Sequence, residues 1–262
     1  MGQPKGSPLW LQLEGEEPIF GGWCTLPSSF AAELVAHCGV NYAVVDMQHG
    51  LTGYSDLVSM LQAISLAGSV PMVRIPFGDY GIAQRALDAG AMGLIFPMIN
   101  TVELAEDAVR SCRYPPLGKR SYGPIRARLH LGADTEWVNS QVLCLVQIET
   151  KEAMSNLDAI LAVPGIDGVY VGPADLALSH GMPPGVATEE LDVLLRRIVD
   201  ACHAHGRIPA IHTLSGVDAL EKVAMGYRMC SIGSDSVWLQ SAYSQQVAFA
   251  KEKSLEVTGG LY

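Results

Sequence analysis

Residues 142–172 read VLCLVQIETKEAMSNLDAILAVPGIDGVYVG, and their pattern decides the fold. A β-branched, apolar run (VLCLVQIE, Val142 to Glu149) gives way to an amphipathic stretch (KEAMSNLDAILAV), a Pro-Gly turn and a second apolar run (GVYVG, Gly168 to Gly172). Short apolar runs bounded by turn residues favour buried strands, and apolar residues at three- and four-residue spacing favour a helix. A strand, a helix and a strand in that order make a parallel pair joined by a crossover. The same alternation continues outward. Upstream lie Ile19 to Thr25, Tyr42 to Asp46, Pro71 to Ile75 and Gly93 to Pro97; downstream lie Ile208 to His212 and Met229 to Gly233. These are eight runs, the number that closes a (β/α)8 TIM barrel, and the 262-residue length suits one such domain spanning 1–262. A doubly wound open sheet fits less well, because no GxGxxG follows the first run and no shift in composition marks a second domain.

Composition narrows the function. Hydrophobic residues are 49% and charged residues 17% of the chain, enough to fill a large core. The net charge of -10 argues against nucleic acid as a partner, since phosphate backbones require a basic face. No run is long enough to span a membrane, and MGQPKGSPLW lacks the apolar segment of a signal peptide, so a cytoplasmic protein is expected. The six cysteines are scattered without a CxxC pair, which suits reduced, buried thiols.

One connection is far longer than the others. Residues 113–140, RYPPLGKRSYGPIRARLHLGADTEWVNS, hold Arg113, Lys119, Arg120, Arg126 and Arg128, a cationic patch in an acidic protein. It reads either as an anion-binding loop serving the site or as a solvated or subunit-contacting loop.

In a (β/α)8 enzyme the chemistry sits at the C-terminal ends of the strands. Here those ends carry Asp46, with Gln48 and His49 just beyond; Arg74; Gln147 and Glu149; Asp175, reached through Gly172-Pro173-Ala174; and His212. Glu149 and Asp175, on neighbouring strands, form an all-oxygen cradle of the kind that holds Mg²⁺ or Mn²⁺; alternatively Glu149 pairs with an arginine and Asp175 caps a helix. Arg74 leaves an apolar strand and must meet an anion there, either a developing enolate oxygen or Asp46 or Glu149 in a salt bridge. His49 follows Asp46 by three residues, so the carboxylate could orient its imidazole for acid/base work. His212 ends its strand without an evident partner. After the last run, Gly233-Ser234 is read as a helix cap at Ser234 rather than a phosphate cradle. An imine-forming aldolase requires a desolvated lysine, yet Lys5, Lys119, Lys151, Lys222, Lys251 and Lys253 all fall outside the strands, which favours metal-assisted chemistry.

In their order and spacing, DMQHG, VRIP, LDAGAMGLIFPM, RYPPLGKRSYG, LVQIET and GIDGVYVGPADLA resemble the metal-dependent HpcH/HpaI aldolase family over roughly Phe20 to Gln240. The resemblance implies Glu149 and Asp175 as ligands of a divalent metal (Mg²⁺, Mn²⁺ or Co²⁺), Arg74 on the 2-oxo group and its enolate, and His49 with Asp46 as the acid/base pair. It further implies that the backbone of Gly172, Pro173 and Ala174, with Gln147, receives the substrate, and that Asp88 reaches into a neighbouring subunit's site. A last helix swapped between subunits, in a hexamer built as a trimer of dimers, also follows from it. Many family members carry DGEH where this chain has DMQH; Gln48 cannot take up a proton, which leaves the transfer to His49, Asp46 or a metal-bound water. The implied activity is reversible cleavage of 4-hydroxy-2-oxo acids to pyruvate or hydroxypyruvate plus an aldehyde. The rivals are an acyl-CoA lyase of the malyl-CoA or citramalyl-CoA type, oxaloacetate decarboxylation, and a non-catalytic barrel that binds a 2-oxo acid.

Overall fold

The computed structural model describes residues 8–15 and 17–259. The outermost parts of the expected domain, and residues 1–7 of the leading segment, lie outside the described residues.

Eight parallel strands close a barrel in sequence order: β1 (Ile19–Cys24), β2 (Tyr42–Asp46), β3 (Val70–Arg74), β4 (Gly93–Phe96), β5 (Leu143–Ile148), β6 (Gly168–Val171), β7 (Ile208–Ile211) and β8 (Met229–Ser234). β8 pairs back onto β1 and completes the ring. Helix α1 (Pro8–Glu14) precedes β1, and α2 (Ser29–His37), α3 (Tyr54–Leu66), α4 (Tyr80–Asp88) and α5 (Val102–Cys112) join the first five strands. Two short helices, α6 (Arg128–Leu131) and α7 (Thr135–Gln141), lie in the long connection. Then come α8 (Lys151–Ser155), α9 (Leu157–Leu161), α10 (Pro173–Ser179), α11 (Glu189–Ala204), α12 (Gly216–Ala224) and α13 (Asp235–Gly259).

The crossover helices begin where a hydroxyl can satisfy an orphan N–H: Ser28, Thr101, Thr150, Thr188 and Ser215 each accept from the backbone three residues on. The stretch KEAMSNLDAILAV forms two helices, not one. Asn156 stands between them at φ -102°, ψ 7°, its side-chain amide donating to Asn100 O at 2.8 Å.

Strand periodicity sorts the core into two layers. One parity of residues (Ala43, Val45, Leu94, Phe96, Val146, Val169) packs outward against the helices. The other (Tyr42, Val44, Met72, Leu143, Leu145, Tyr170) fills the barrel interior, plugged at its N-terminal end by Leu9 and Trp10 of α1. Continuing the inward parity toward the C-terminal ends brings Asp46, Arg74, Gln147, Glu149 and His212 to one mouth. A slip of one residue in any strand would turn its polar end out of the barrel.

The long connection lies at the opposite end, because it runs from the end of α5 to the start of β5. Its arginines serve architecture there. Arg113 donates to Val142 O (2.8 Å), Gly165 O (3.3 Å) and the Asp167 carboxylate (2.9 Å). Arg120 is buried over the Tyr114 ring and pairs with Asp88 at 2.7 Å, and Arg126 donates to Ala89 O at 2.9 Å. The reading of this segment as an anion-binding loop for the chain's own site is therefore corrected. The cap is corrected as well: Ser234 ends β8, and it is the Asp235 carboxylate that accepts from Thr25 N (2.8 Å) and Leu26 N (3.2 Å), tying α13 to the end of β1. The six cysteines are free, all buried except Cys38.

Candidate active site

A cavity of about 500 Å³ opens at the C-terminal mouth, walled by Trp23, Arg74, Gln147, Gly172 to Asp175 and His212. Beside it Asp46 is spent on structure. Its carboxylate accepts from Arg74 Nε (2.9 Å) and Nη2 (2.5 Å), from the Trp23 indole (3.2 Å) and from the backbone of Gln48 (3.0 Å) and His49 (3.2 Å). Two coplanar bonds fix the guanidinium plane, and the Trp23 ring lies 4.9 Å from Arg74 Cζ. Arg74 Nη1 makes no hydrogen bond among the described residues, and Arg74 lines the cavity. Arg74 and its two other Asp46 neighbours hold the carboxyl below its ordinary value against the opposing effect of burial, which is the largest single influence. Asp46 thus engages the backbone N–H of His49 and not its imidazole, and His49 is exposed at the rim. The expectation that Asp46 orients the ring is replaced by one in which Asp46 orients Arg74.

Glu149 is 2% exposed, just past the end of β5. One carboxylate oxygen accepts from Met98 N at 2.7 Å. Met98 sits at φ 57°, in the left-handed region where a side chain other than glycine is strained, and that conformation aims its N–H at Glu149. The second oxygen faces Gly172, where an added Cβ would lie 2.5 Å from it and 3.2 Å from the Gln147 side-chain amide. Glycine keeps this space open. Burial, and then the charge of Asp175, push Glu149 up to about 7 against the Met98 bond and Arg74.

Asp175 lies in the first turn of α10, exposed, and makes no hydrogen bond within the described residues. The helix starts at Gly172 with Pro173 in its first turn and no side-chain cap, so the capping alternative for Asp175 falls away. Gln147, 1% exposed, has an Oε1 without a partner among the described residues. A buried carboxylate pushed toward its neutral form, an exposed carboxylate in the first turn of α10 and an orphaned amide oxygen form a hard, all-oxygen donor set with a glycine-sized gap between them. That set fits a hard divalent cation with open coordination positions. No group of three or more His, Cys, Asp or Glu side chains arranged for a metal occurs among the described residues.

His212 has a partner the sequence did not reveal: its Nδ1 lies 2.9 Å from Ser231 Oγ on β8. Lys222 is also new to the site. It is the only buried lysine among the described residues and lines the same cavity, but Asp192 and Asp218 hold its ammonium at 3.8 Å each, an arrangement unsuited to a nucleophilic amine. Asp88 ends α4, at the N-terminal end of the barrel, paired with Arg120; burial raises its carboxyl against that pairing. It cannot reach the mouth of its own barrel. Of the residues expected in the site, the structure therefore gathers Asp46, Arg74, Gln147, Glu149, Gly172, Pro173, Ala174 and Asp175, leaves His49 at the rim and sets Asp88 apart. Inward parity at β8 was the available signal for Ser231; nothing in the sequence marks Met98.

Comparison with known proteins supplies independent findings. Residues 20–242 match the HpcH/HpaI aldolase/citrate lyase family. A hydroxypyruvate/pyruvate aldolase from Rhizorhabdus wittichii is 38% identical over 237 residues, 89% of this chain and 94% of that one. A 2-keto-3-deoxy-L-rhamnonate aldolase from Klebsiella pneumoniae is 33% identical over 248 residues, 93% of this chain and 92% of that one. The crystal structure of a family protein from Burkholderia cenocepacia superposes with a TM-score of 0.85 at 32% identity, covering 95% of this chain and all of the other.

Proposed function

This chain belongs to the HpcH/HpaI aldolase/citrate lyase family, and from that premise we propose that it is a divalent-metal-dependent carbon-carbon lyase that reversibly cleaves 4-hydroxy-2-oxo acids to pyruvate or hydroxypyruvate and an aldehyde. The observation that carries the reading is the cradle in which Gly172 leaves room beside the Glu149 carboxylate, with Asp175 in the first turn of α10, just past the end of β6.

Glu149 and Asp175 would hold the cation, Mg²⁺, Mn²⁺ or Co²⁺, with Gln147 beside them. Once bound, the cation supplies Lewis-acid polarisation of the 2-oxo group. The chain's own residues do the rest. Backbone around Gly172 to Ala174 receives the substrate carboxylate, and Arg74, clamped by Asp46, sets a fixed positive charge against the keto oxygen. Charge that develops on that oxygen as the C3 proton leaves is stabilised by a group already oriented for it. His49, at the rim beside Asp46, serves as the proton carrier, since Gln48 cannot.

The chain acts in this reading as a homo-oligomer, a hexamer of paired subunits in which α13 swaps and Asp88 contributes to a neighbouring copy's site. Two features support it: Trp238, Tyr243 and Phe249 of α13 stand 46%, 69% and 59% exposed, and Asp88 sits away from its own cavity. No helix among the described residues is long and apolar enough to cross a membrane, in keeping with a small-molecule role in the cytoplasm.

The test is cleavage and condensation of 4-hydroxy-2-oxo acids by purified protein after EDTA treatment, with Mg²⁺, Mn²⁺ or Co²⁺ restored. Metal-restored turnover of pyruvate or hydroxypyruvate is expected. Activity indifferent to EDTA, or turnover of oxaloacetate or acyl-CoA substrates alone, overturns the reading.

A further inference from the structure

His212 follows the last residue of β7 on the inward parity, with its ring edge-on to the Trp23 indole at 4.7 Å between centroids. Ser231 decides which ring nitrogen carries the proton. Its hydroxyl oxygen accepts the Thr213 N–H at 3.0 Å, and it also bonds the Tyr170 side chain, His212 Nδ1 at 2.9 Å and Thr213 O at 3.5 Å. With the Ser231 hydrogen on the bond to Nδ1, the neutral imidazole carries its own proton on Nε2, and that tautomer is the premise of the inference. Burial first, then the positive charge of Arg74, push His212 down to about 4, which keeps the ring neutral at physiological pH. Nε2 has no hydrogen-bond partner among the described residues, and the residue lines the cavity together with Arg74 and Trp23. An oriented N–H donor beside an indole wall is costly to desolvate unless a ligand supplies an acceptor.

We propose that His212 is a specificity-determining residue whose Nε2–H donates to a hydroxyl oxygen on C3 of the 2-oxo acid, so that the site takes 3-hydroxy-2-oxo acids, hydroxypyruvate being the smallest, in preference to pyruvate. The inference rests on the aldolase reading above. With the carboxylate at Gly172 to Ala174 and the keto oxygen at Arg74, C3 turns to the wall that remains, formed by Trp23 and His212. A methyl group there leaves the N–H unmet, whereas a hydroxymethyl group meets it. Sites built to bond a substrate hydroxyl discriminate against the analogue that lacks it.

The experiment compares kcat/KM for hydroxypyruvate and for pyruvate, condensed with the same aldehyde at saturating Mg²⁺, in the wild type, His212→Leu and His212→Gln. His212→Leu is expected to lower the hydroxypyruvate-to-pyruvate ratio by about tenfold, chiefly through the KM for hydroxypyruvate. His212→Gln, whose amide N–H reaches about as far as Nε2, is expected to restore most of the ratio. An unchanged ratio in His212→Leu, or an equal loss on both substrates, overturns the proposal while leaving the aldolase reading intact. A wild type that condenses neither 2-oxo acid with metal present overturns both.

Discussion

The two ends of the barrel both carry buried charge, and they treat it in opposite ways. At the N-terminal end Arg113 meets Asp167 and two carbonyls, Arg120 meets Asp88, and Arg126 meets Ala89 O. Left over there, among the described residues, are Arg120 Nε and Nη1, with the Tyr114 ring against the guanidinium, the Tyr114 hydroxyl and Arg228 Nε. At the C-terminal end, among the described residues, Asp175 has no hydrogen bond, Gln147 Oε1 and His212 Nε2 have no partner, and Glu149 is driven toward neutrality. Charge density alone would have pointed to the wrong end. What marks the site is the kind of group left over: carboxylate and amide oxygens lining a cavity, which a bound ligand can complete.

The contrast can be broken from either side. The largest effect is expected from Arg74→Ala, which removes the fixed charge at the keto oxygen: kcat/KM should fall about 10³-fold, equivalent to about 4 kcal/mol of transition-state stabilisation, with circular dichroism unchanged. A loss below tenfold would mean that Arg74 serves only to satisfy Asp46. At the other end Arg113→Ala should cost about 3 kcal/mol of stability, the low end for a broken buried pair because Asp167 keeps its bond from Cys144 N at 2.8 Å. Urea denaturation would read that loss, and kcat of the molecules still folded should be unaltered; a matching fall in kcat would erase the distinction between the two ends.

A smaller effect sharpens the comparison. Glu149 is raised from an ordinary 4.5 to about 7, so between those values the metal-free folded state holds a proton that the unfolded chain has released. Its stability is fully present below 4.5 and falls as pH rises through about 7. The Tm of EDTA-treated protein should drop by roughly a few degrees across that window, and Glu149→Gln should flatten the slope. Equal slopes in the two proteins would place the titration elsewhere.

The fold was largely legible because buried parallel strands advertise themselves as short apolar runs. β2 has the limits expected of it, and the other strands depart by one residue at either end. The short helices α1, α6 and α7 were not legible, being too brief to display a helical period, and the break at Asn156 depends on a side-chain bond to Asn100 from another loop. Strand-end position sufficed to place Glu149, Asp175, Arg74 and Asp46 together at the C-terminal end of the barrel. Which partner each takes was not legible. Asp46 clamps Arg74 and leaves the His49 ring alone, and His212 finds Ser231 nineteen residues away, because both pairings are made across strands.

The central claim is that the open carboxylates at the C-terminal mouth hold a divalent cation. Calorimetric titration of EDTA-treated protein with Mn²⁺ tests it most directly, in the wild type beside Glu149→Gln. The account predicts one site per chain in the wild type and none in the variant. Equal stoichiometry and affinity in the two proteins would contradict it.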